Sequence, residues 1–216
     1  MAKKIFVTAT NTSVGKTYTT LLLMKEASKL GLKPAAFKPI ETGVTNGIPS
    51  DGTLLFEATR NLNTSSSCLE VEDVVPVTYG LPAAPYVAKG DKHVDISFIE
   101  KSMRRVEEVC DILFIEGAGG VMVPVEEGLF MIDFPKIFDA HTLLVSPSKL
   151  GSINDTLLSI EALKNRGLHF SLAINLFEEA ESFEIVTRPY YLETGIEHFL
   201  LPTESQELLK SLLKTV

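Results

Sequence analysis

A chain of 216 residues with 45% hydrophobic content is long enough to bury one sizeable core, so the expectation is a single domain over residues 1–216. Its net charge of −8 argues against a dedicated nucleic-acid or anionic-membrane surface, both of which depend on basic patches, and leaves small molecules or proteins as partners. Two cysteines without metal-ligand spacing, an apolar run after Lys3-Lys4 too short for a signal peptide, and no stretch near the roughly 20 apolar residues of a membrane span point to a cytoplasmic protein.

The first expected element is a buried strand at 5–8. It leads into Thr8-Ala9-Thr10-Asn11-Thr12-Ser13-Val14-Gly15-Lys16-Thr17 and then a helix at 17–30. A strand, a tight loop and a helix N-terminus carrying Gly15-Lys16-Thr17 offer a phosphate free backbone N–H groups, a point positive charge and a hydroxyl for Mg²⁺. Residues 13–17 are expected to wrap the phosphates, with Val14 and Tyr18 beside them. Lys16 neutralises the β- and γ-phosphates, and Thr17 ligates Mg²⁺. The loop departs from the common form because Thr10 stands five residues before Gly15, where a glycine is usual.

A second strand at 35–38 ends at Lys38-Pro39-Ile40-Glu41-Thr42-Gly43. On the ligand edge of a sheet, a lysine there is a second cation for developing phosphoryl charge. Asp51 opens the next expected helix, 51–61, either as a helix N-terminal residue or as a Mg²⁺ ligand; sequence leaves both open. Segments 64–67 and 79–85 read as loops, and 96–110 as a helix.

The strand expected at 112–115 runs into Glu116-Gly117-Ala118-Gly119-Gly120. Glu116 is placed to hold Mg²⁺, and the glycines would bring backbone close to the γ-phosphate or the reacting groups. After a fourth strand, 142–145, Leu150-Gly151-Ser152-Ile153-Asn154 opens a helix at 152–166, either capped by Ser152 or presenting N–H groups to an anion. A fifth strand, 170–174, and a helix, 204–214, complete the chain. Short apolar strands alternating with amphipathic helices define an α/β fold, a single doubly wound layer with a mostly parallel sheet of the P-loop NTPase type. His93, His141, His169 and His198 share no motif spacing and are expected on the surface or in packing.

The phosphate loop, Lys38-Pro39 with Thr42-Gly43, Glu116 to Gly120, and Lys149 to Asn154 together resemble the dethiobiotin synthetase family over roughly the first 175 residues. The family loop is one residue longer between glycines than the common form; its first glycine is Ala9 here and its aspartate is Asn11. The resemblance implies ATP- and Mg²⁺-dependent closure of a ureido ring from 7,8-diaminononanoate and CO₂ by a homodimer with shared active sites. It gives Lys38 a place touching both carbamate and γ-phosphate. Thr12, Thr42 and Gly119 fall at the reacting end of the substrate, with Lys38, Lys16 and Thr12 as the catalytic set. Thr17, Asp51 and Glu116 hold Mg²⁺, and residues 150–154 bind the substrate carboxylate across the dimer interface. It puts Asn175 at the adenine ring. The family's second base-binding segment has no match here, and the run Glu178-Glu179-Ala180-Glu181 is unusually acidic, so less selective nucleotide binding is expected. Two rival readings are another P-loop amide-forming synthetase and a partitioning-type switch ATPase. The chain is too short for the glutaminase domain of the first, and positions 9–13 lack the extra lysine of the second.

Overall fold

The structure is a computed structural model that describes residues 2–177 and 180–215. Glu178 and Glu179 of the acidic run lie outside the described residues.

Six parallel strands form the central sheet: β1 (Lys3–Ala9), β2 (Pro34–Phe37), β3 (Ile112–Glu116), β4 (His141–Pro147), β5 (Phe170–Asn175) and β6 (Phe199–Leu201). Their spatial order is β6-β5-β4-β1-β3-β2. All five expected strands are present within a residue or two, and β6 is additional. It pairs Phe199 with Ala173 and Leu201 with Asn175; three residues are too few to show a period of two in sequence. Five longer helices accompany the sheet: α1 (Lys16–Lys29), α2 (Ser50–Leu62), α3 (Ile96–Glu107), α4 (Ser152–Asn165) and α5 (Ser205–Lys214).

Alternation along the strands divides the core. Ile5, Val7 and Ala9 of β1 join Ile112 and Phe114 of β3 on the face covered by Leu23, Met24 and Ala27 of α1 and Leu208, Leu209 and Leu212 of α5. Phe6, Leu113 and Ile115 point the other way, into a cluster with Phe37, Ile99, Met103, Phe134 and Phe138. The strands are apolar on both sides because both faces are covered.

The chain leaves β1 through α1 to the edge strand β2, returns to β3 beside β1, and then crosses to β4 on the other side. The winding direction reverses at β1, and the crevice beyond the C-terminal ends of such strands is where α/β sheets bind ligands. Two small additions border it. Ile40–Thr42 pairs in parallel with Val77–Tyr79, and Pro124–Glu126 forms an antiparallel pair with Leu129–Phe130. The segments expected as loops are partly helical: Thr64–Cys68 is a 3₁₀ turn and Pro85–Ala88 one turn of helix.

At the opposite edge, His141 Nε2 lies 3.0 Å from Ser171 Oγ. Burial, with added repulsion from Lys3 and His169, pushes its pKa down to about 4. A free histidine titrates near 6.5, so as pH falls from there the unfolded chain binds the proton first and folding stability is lost. Urea unfolding at pH 7 and pH 5 should show His141 contributing roughly 1–2 kcal/mol of that loss. His141→Gln should flatten the difference by this amount, and an unchanged slope would assign the effect elsewhere.

Candidate nucleotide and substrate site

The loop between β1 and α1 is tied down at both ends. Thr10 N–H donates to Val145 O of β4 at 3.0 Å, and Thr19 N–H to Gly15 O at 2.9 Å. Ala9, where the family carries glycine, is the last residue of β1, pairs with Val145, and has no exposed surface. An extended residue there needs no glycine, so this departure is unstrained. Asn11 turns its side chain onto the loop, accepting from Thr12 N–H at 2.8 Å.

Gly15 is the position that must stay glycine. Its φ is +91°, and a Cβ built on it would lie 2.0 Å from Asn175 Nδ2. Asn175, the last residue of β5, donates through that nitrogen to Val14 O at 3.2 Å and so pins the loop to the sheet. Its Oδ1 is buried with no hydrogen-bond partner among the described residues.

The charged centre lies beneath the loop. Glu116, at the end of β3, has no exposed surface. Its Oε1 accepts from Lys38 Nζ at 2.7 Å and from Thr17 Oγ1 at 2.9 Å, and its Oε2 from Thr20 Oγ1 at 3.3 Å. Lys38 also donates to Asp51 Oδ2 at 2.8 Å. Burial pulls the Lys38 ammonium down, but the charges of Glu116 and Asp51 outweigh it and the pKa is raised. Thus Lys16, Thr17, Lys38, Asp51 and Glu116, read from separate stretches, come together. Asp51 lies in the first turn of α2, as the helix N-terminal reading expected. Pro49 is the residue at the N-cap of α2, and the Asp51 side chain reaches Lys38 instead of capping.

Two cavities meet at Ser13. The first, about 460 Å³, is walled by Gly15, Lys16, Thr17, Asp51 and Glu116 on one side, and by Tyr18, Asn175, Leu176, Phe177 and Pro202 on the other. The second, about 580 Å³, is lined by the hydroxyl-bearing Thr12, Ser13 and Thr42, by Ala118 and Gly119, and by the apolar Pro82–Pro85 run and Val123. Gly119, at φ +65°, lines this second space with its backbone, and a Cβ there would meet Val123 Cγ2 at 2.8 Å. Gly117 lies against Phe6 and Met131, so packing against the core is what its lack of a side chain permits.

One expected group stands apart. Leu150, Gly151 and Asn154 are exposed, Ile153 is half-buried and Ser152 is buried, and none of them lines either cavity within one chain. Sequence reasoning missed Thr20, which lies one turn after Thr17 on the same helix face. It also missed the Pro82–Pro85 wall and the apolar residues Phe177 and Pro202, whose meeting depends on β6 and the unrecognised turn after β5.

A parallel sheet whose central strand feeds a glycine-lysine-threonine helix start, with a buried acid on the neighbouring strand, defines a phosphate-loop nucleotide-binding protein. The family model described as an AAA domain matches residues 3–189. A plasmid partition protein from Borrelia burgdorferi superimposes with a TM-score of 0.62 over all of both chains at 12% identity, a likeness of fold alone. Two curated relatives carry the name ATP-dependent dethiobiotin synthetase BioD. The one from Sulfurovum sp. (strain NBC37-1) is 48% identical over 87% of this chain and 89% of its own. The one from Wolinella succinogenes is 40% identical over 99% of this chain and 100% of its own. The chain belongs to the ATP-dependent dethiobiotin synthetase family. Among the described residues, no helix is long and apolar enough to cross a membrane.

Lys16 supplies a measurable signature. Burial, opposed by the charge of Glu116 and reinforced by that of Lys38, lowers its pKa to about 8. A triphosphate beside it favours the ammonium, so the bound pKa lies above the free one and ATP binding above pH 8 takes up a proton. Affinity is expected to fall by up to about tenfold per pH unit between those two values. Calorimetry at pH 8.5 in buffers of different ionisation heat should read the uptake. Lys16→Arg, whose guanidinium stays charged, should abolish it; equal uptake in the variant would place the proton on another group.

Proposed function

We propose that this chain forms dethiobiotin from 7,8-diaminononanoate, CO₂ and MgATP, in the cytoplasm and as a homodimer. The observation that carries the reading is the pair of cavities joined at Ser13. One is lined by Lys16, Thr17, Asp51 and Glu116, a set suited to a triphosphate with its metal; the other combines Thr12 and Thr42 with the apolar Pro82–Pro85 run and Val123, a lining suited to an alkyl chain bearing polar groups.

The substrate supplies both nucleophiles. One amine captures CO₂ as a carbamate, releasing a proton. A carbamate oxygen attacks the γ-phosphorus and ADP departs. The second amine then attacks the carbonyl carbon of the carbamic-phosphoric anhydride, forming the C–N bond as the C–O bond to phosphate breaks; phosphate leaves, the amine releases a proton to solvent, and the ring closes. What the protein contributes is placement and charge neutralisation. Lys16 and the N–H groups of residues 13–17 hold the phosphates. Lys38 faces the carbamate and the γ-phosphate together, while Thr12 and Thr42 orient the reacting amine and carbamate.

The oxygen-only set of Thr17, Asp51 and Glu116 suits Mg²⁺: Asp51 and Glu116 already share one cation, the Lys38 ammonium, and Thr17 Oγ1 lies 2.9 Å from Glu116 Oε1. Bound there with the nucleotide, Mg²⁺ supplies further neutralisation of phosphate charge. The helix start at residues 150–154, exposed at Leu150, Gly151 and Asn154, fits a role toward the cavity of a second copy, and exposed Leu150, Leu158 and Met122 supply an apolar surface for that docking.

Supplying 7,8-diaminononanoate, bicarbonate and MgATP should yield dethiobiotin by mass spectrometry. ATP hydrolysis independent of the diamine, with no ring product, would instead support the switch-ATPase reading. Lys38→Ala should lower turnover far more than ATP affinity, and equal losses would reduce Lys38 to a phosphate clamp. Because the variant strips Glu116 of its buried partner, it should also cost about 3–5 kcal/mol in urea unfolding. The base-side wall offers the Asn175 amide and the apolar faces of Tyr18, Phe177 and Pro202, so turnover with GTP and CTP should approach that with ATP. A strong preference for ATP would overturn this last expectation.

A further inference from the structure

Glu41 is a buried carboxylate that the reaction does not use. It lies in the short strand Ile40–Thr42 and is 4% exposed. No lysine, arginine or histidine among the described residues forms an ion pair with it within 4.0 Å. Its partners all belong to the first turn of α2. Oε1 accepts from Asp51 N–H at 3.1 Å and from Ser50 Oγ at 3.3 Å, and Oε2 from Gly52 N–H at 2.8 Å.

This arrangement replaces a missing cap. Pro49 at the N-cap of α2 has no side-chain acceptor, so the first free N–H groups of the helix must find one elsewhere. Glu41 reaches them from a different element and places its charge at the positive end of the helix. Gly52 makes the approach possible, since a Cβ there would meet Val75 Cγ2 at 2.1 Å and Glu41 Oε2 at 3.1 Å.

The backbone held in this way is that of Asp51. Its side chain is 45% exposed and, among the described residues, pairs with Lys38, so the reach of its carboxylate depends on where the backbone places it. We propose that Glu41 is a positioning residue for metal loading: by clamping the N–H groups of Asp51 and Gly52 it holds the Asp51 carboxylate toward Lys38, Thr17 and Glu116. This rests on the Mg²⁺ role given above to Asp51. Residues that orient a metal-ligating carboxylate typically change metal affinity by about 10- to 100-fold when altered.

The test uses Mn²⁺ as a paramagnetic probe, titrated into the full chain with a saturating non-hydrolysable ATP analogue and read by electron paramagnetic resonance. Glu41→Gln retains shape and one acceptor, but loses the charge and the second acceptor. It should weaken Mn²⁺ at least about tenfold while analogue binding without metal changes less than about twofold. Adding Pro49→Asp, which supplies a local cap at a position with extended backbone, should restore most of the Mn²⁺ affinity. Glu41→Asp, which keeps the charge but withdraws it by one methylene, should fall between and carries the test if Glu41→Gln fails to fold. Wild-type Mn²⁺ affinity in a folded Glu41→Gln or Glu41→Asp chain would overturn the proposal, as would weakening that Pro49→Asp leaves untouched. Failure of the wild-type chain to bind Mn²⁺ with the analogue would instead overturn the metal reading of Asp51 itself.

Discussion

A carboxylate with no exposed surface must be neutralised where it sits, and Glu116 meets that requirement through Lys38. An unpaired charge at such a depth costs several kcal/mol, so the site is organised around this pair. β3 delivers the acid to the C-terminal edge of the sheet. β2, two positions from β1 and adjacent to β3, delivers the lysine to the same edge. Thr17 and Thr20 add two further donors to the acid from α1, and Asp51 closes the other side of the ammonium. Four separate segments are thereby fixed relative to one another by one ion pair and its hydrogen bonds.

The phosphate loop fits over this base with little freedom. Asn175 fills the space that a side chain on Gly15 would need and donates to the carbonyl before it, so β5 sets the height of the loop above the sheet. The loop is thus tied to β4 through Thr10 and to β5 through Val14, both on one side of β1, while Glu116 of β3 on the other side accepts from Thr17 at the start of the helix.

Much of this was legible in sequence for a definite reason. Strands buried on both faces appear as short apolar runs, and a lysine-threonine helix start follows the first of them. The family blocks then arranged Lys38, Thr42, Glu116 and the residue 150–154 segment in order. What remained hidden depended on contacts without a local signal. β6 is three residues long and acquires meaning only by pairing with β5. Thr20 looks like any helical threonine until Glu116 is placed beneath it. Asp51 could not be assigned because its alternative, capping, was taken over by Glu41, a residue ten positions upstream on another element. The segment at residues 150–154 lines neither cavity within one chain, so the role that the family resemblance gives it stays a proposal.

The internal ion balance of the site bears on how a ligand arrives. Lys16 and Lys38 are matched by Asp51 and Glu116, so the cradle presents almost no net charge to solvent, and the chain as a whole is acidic. A polyphosphate therefore meets no attractive field at long range, and its capture depends on short-range fit after collision.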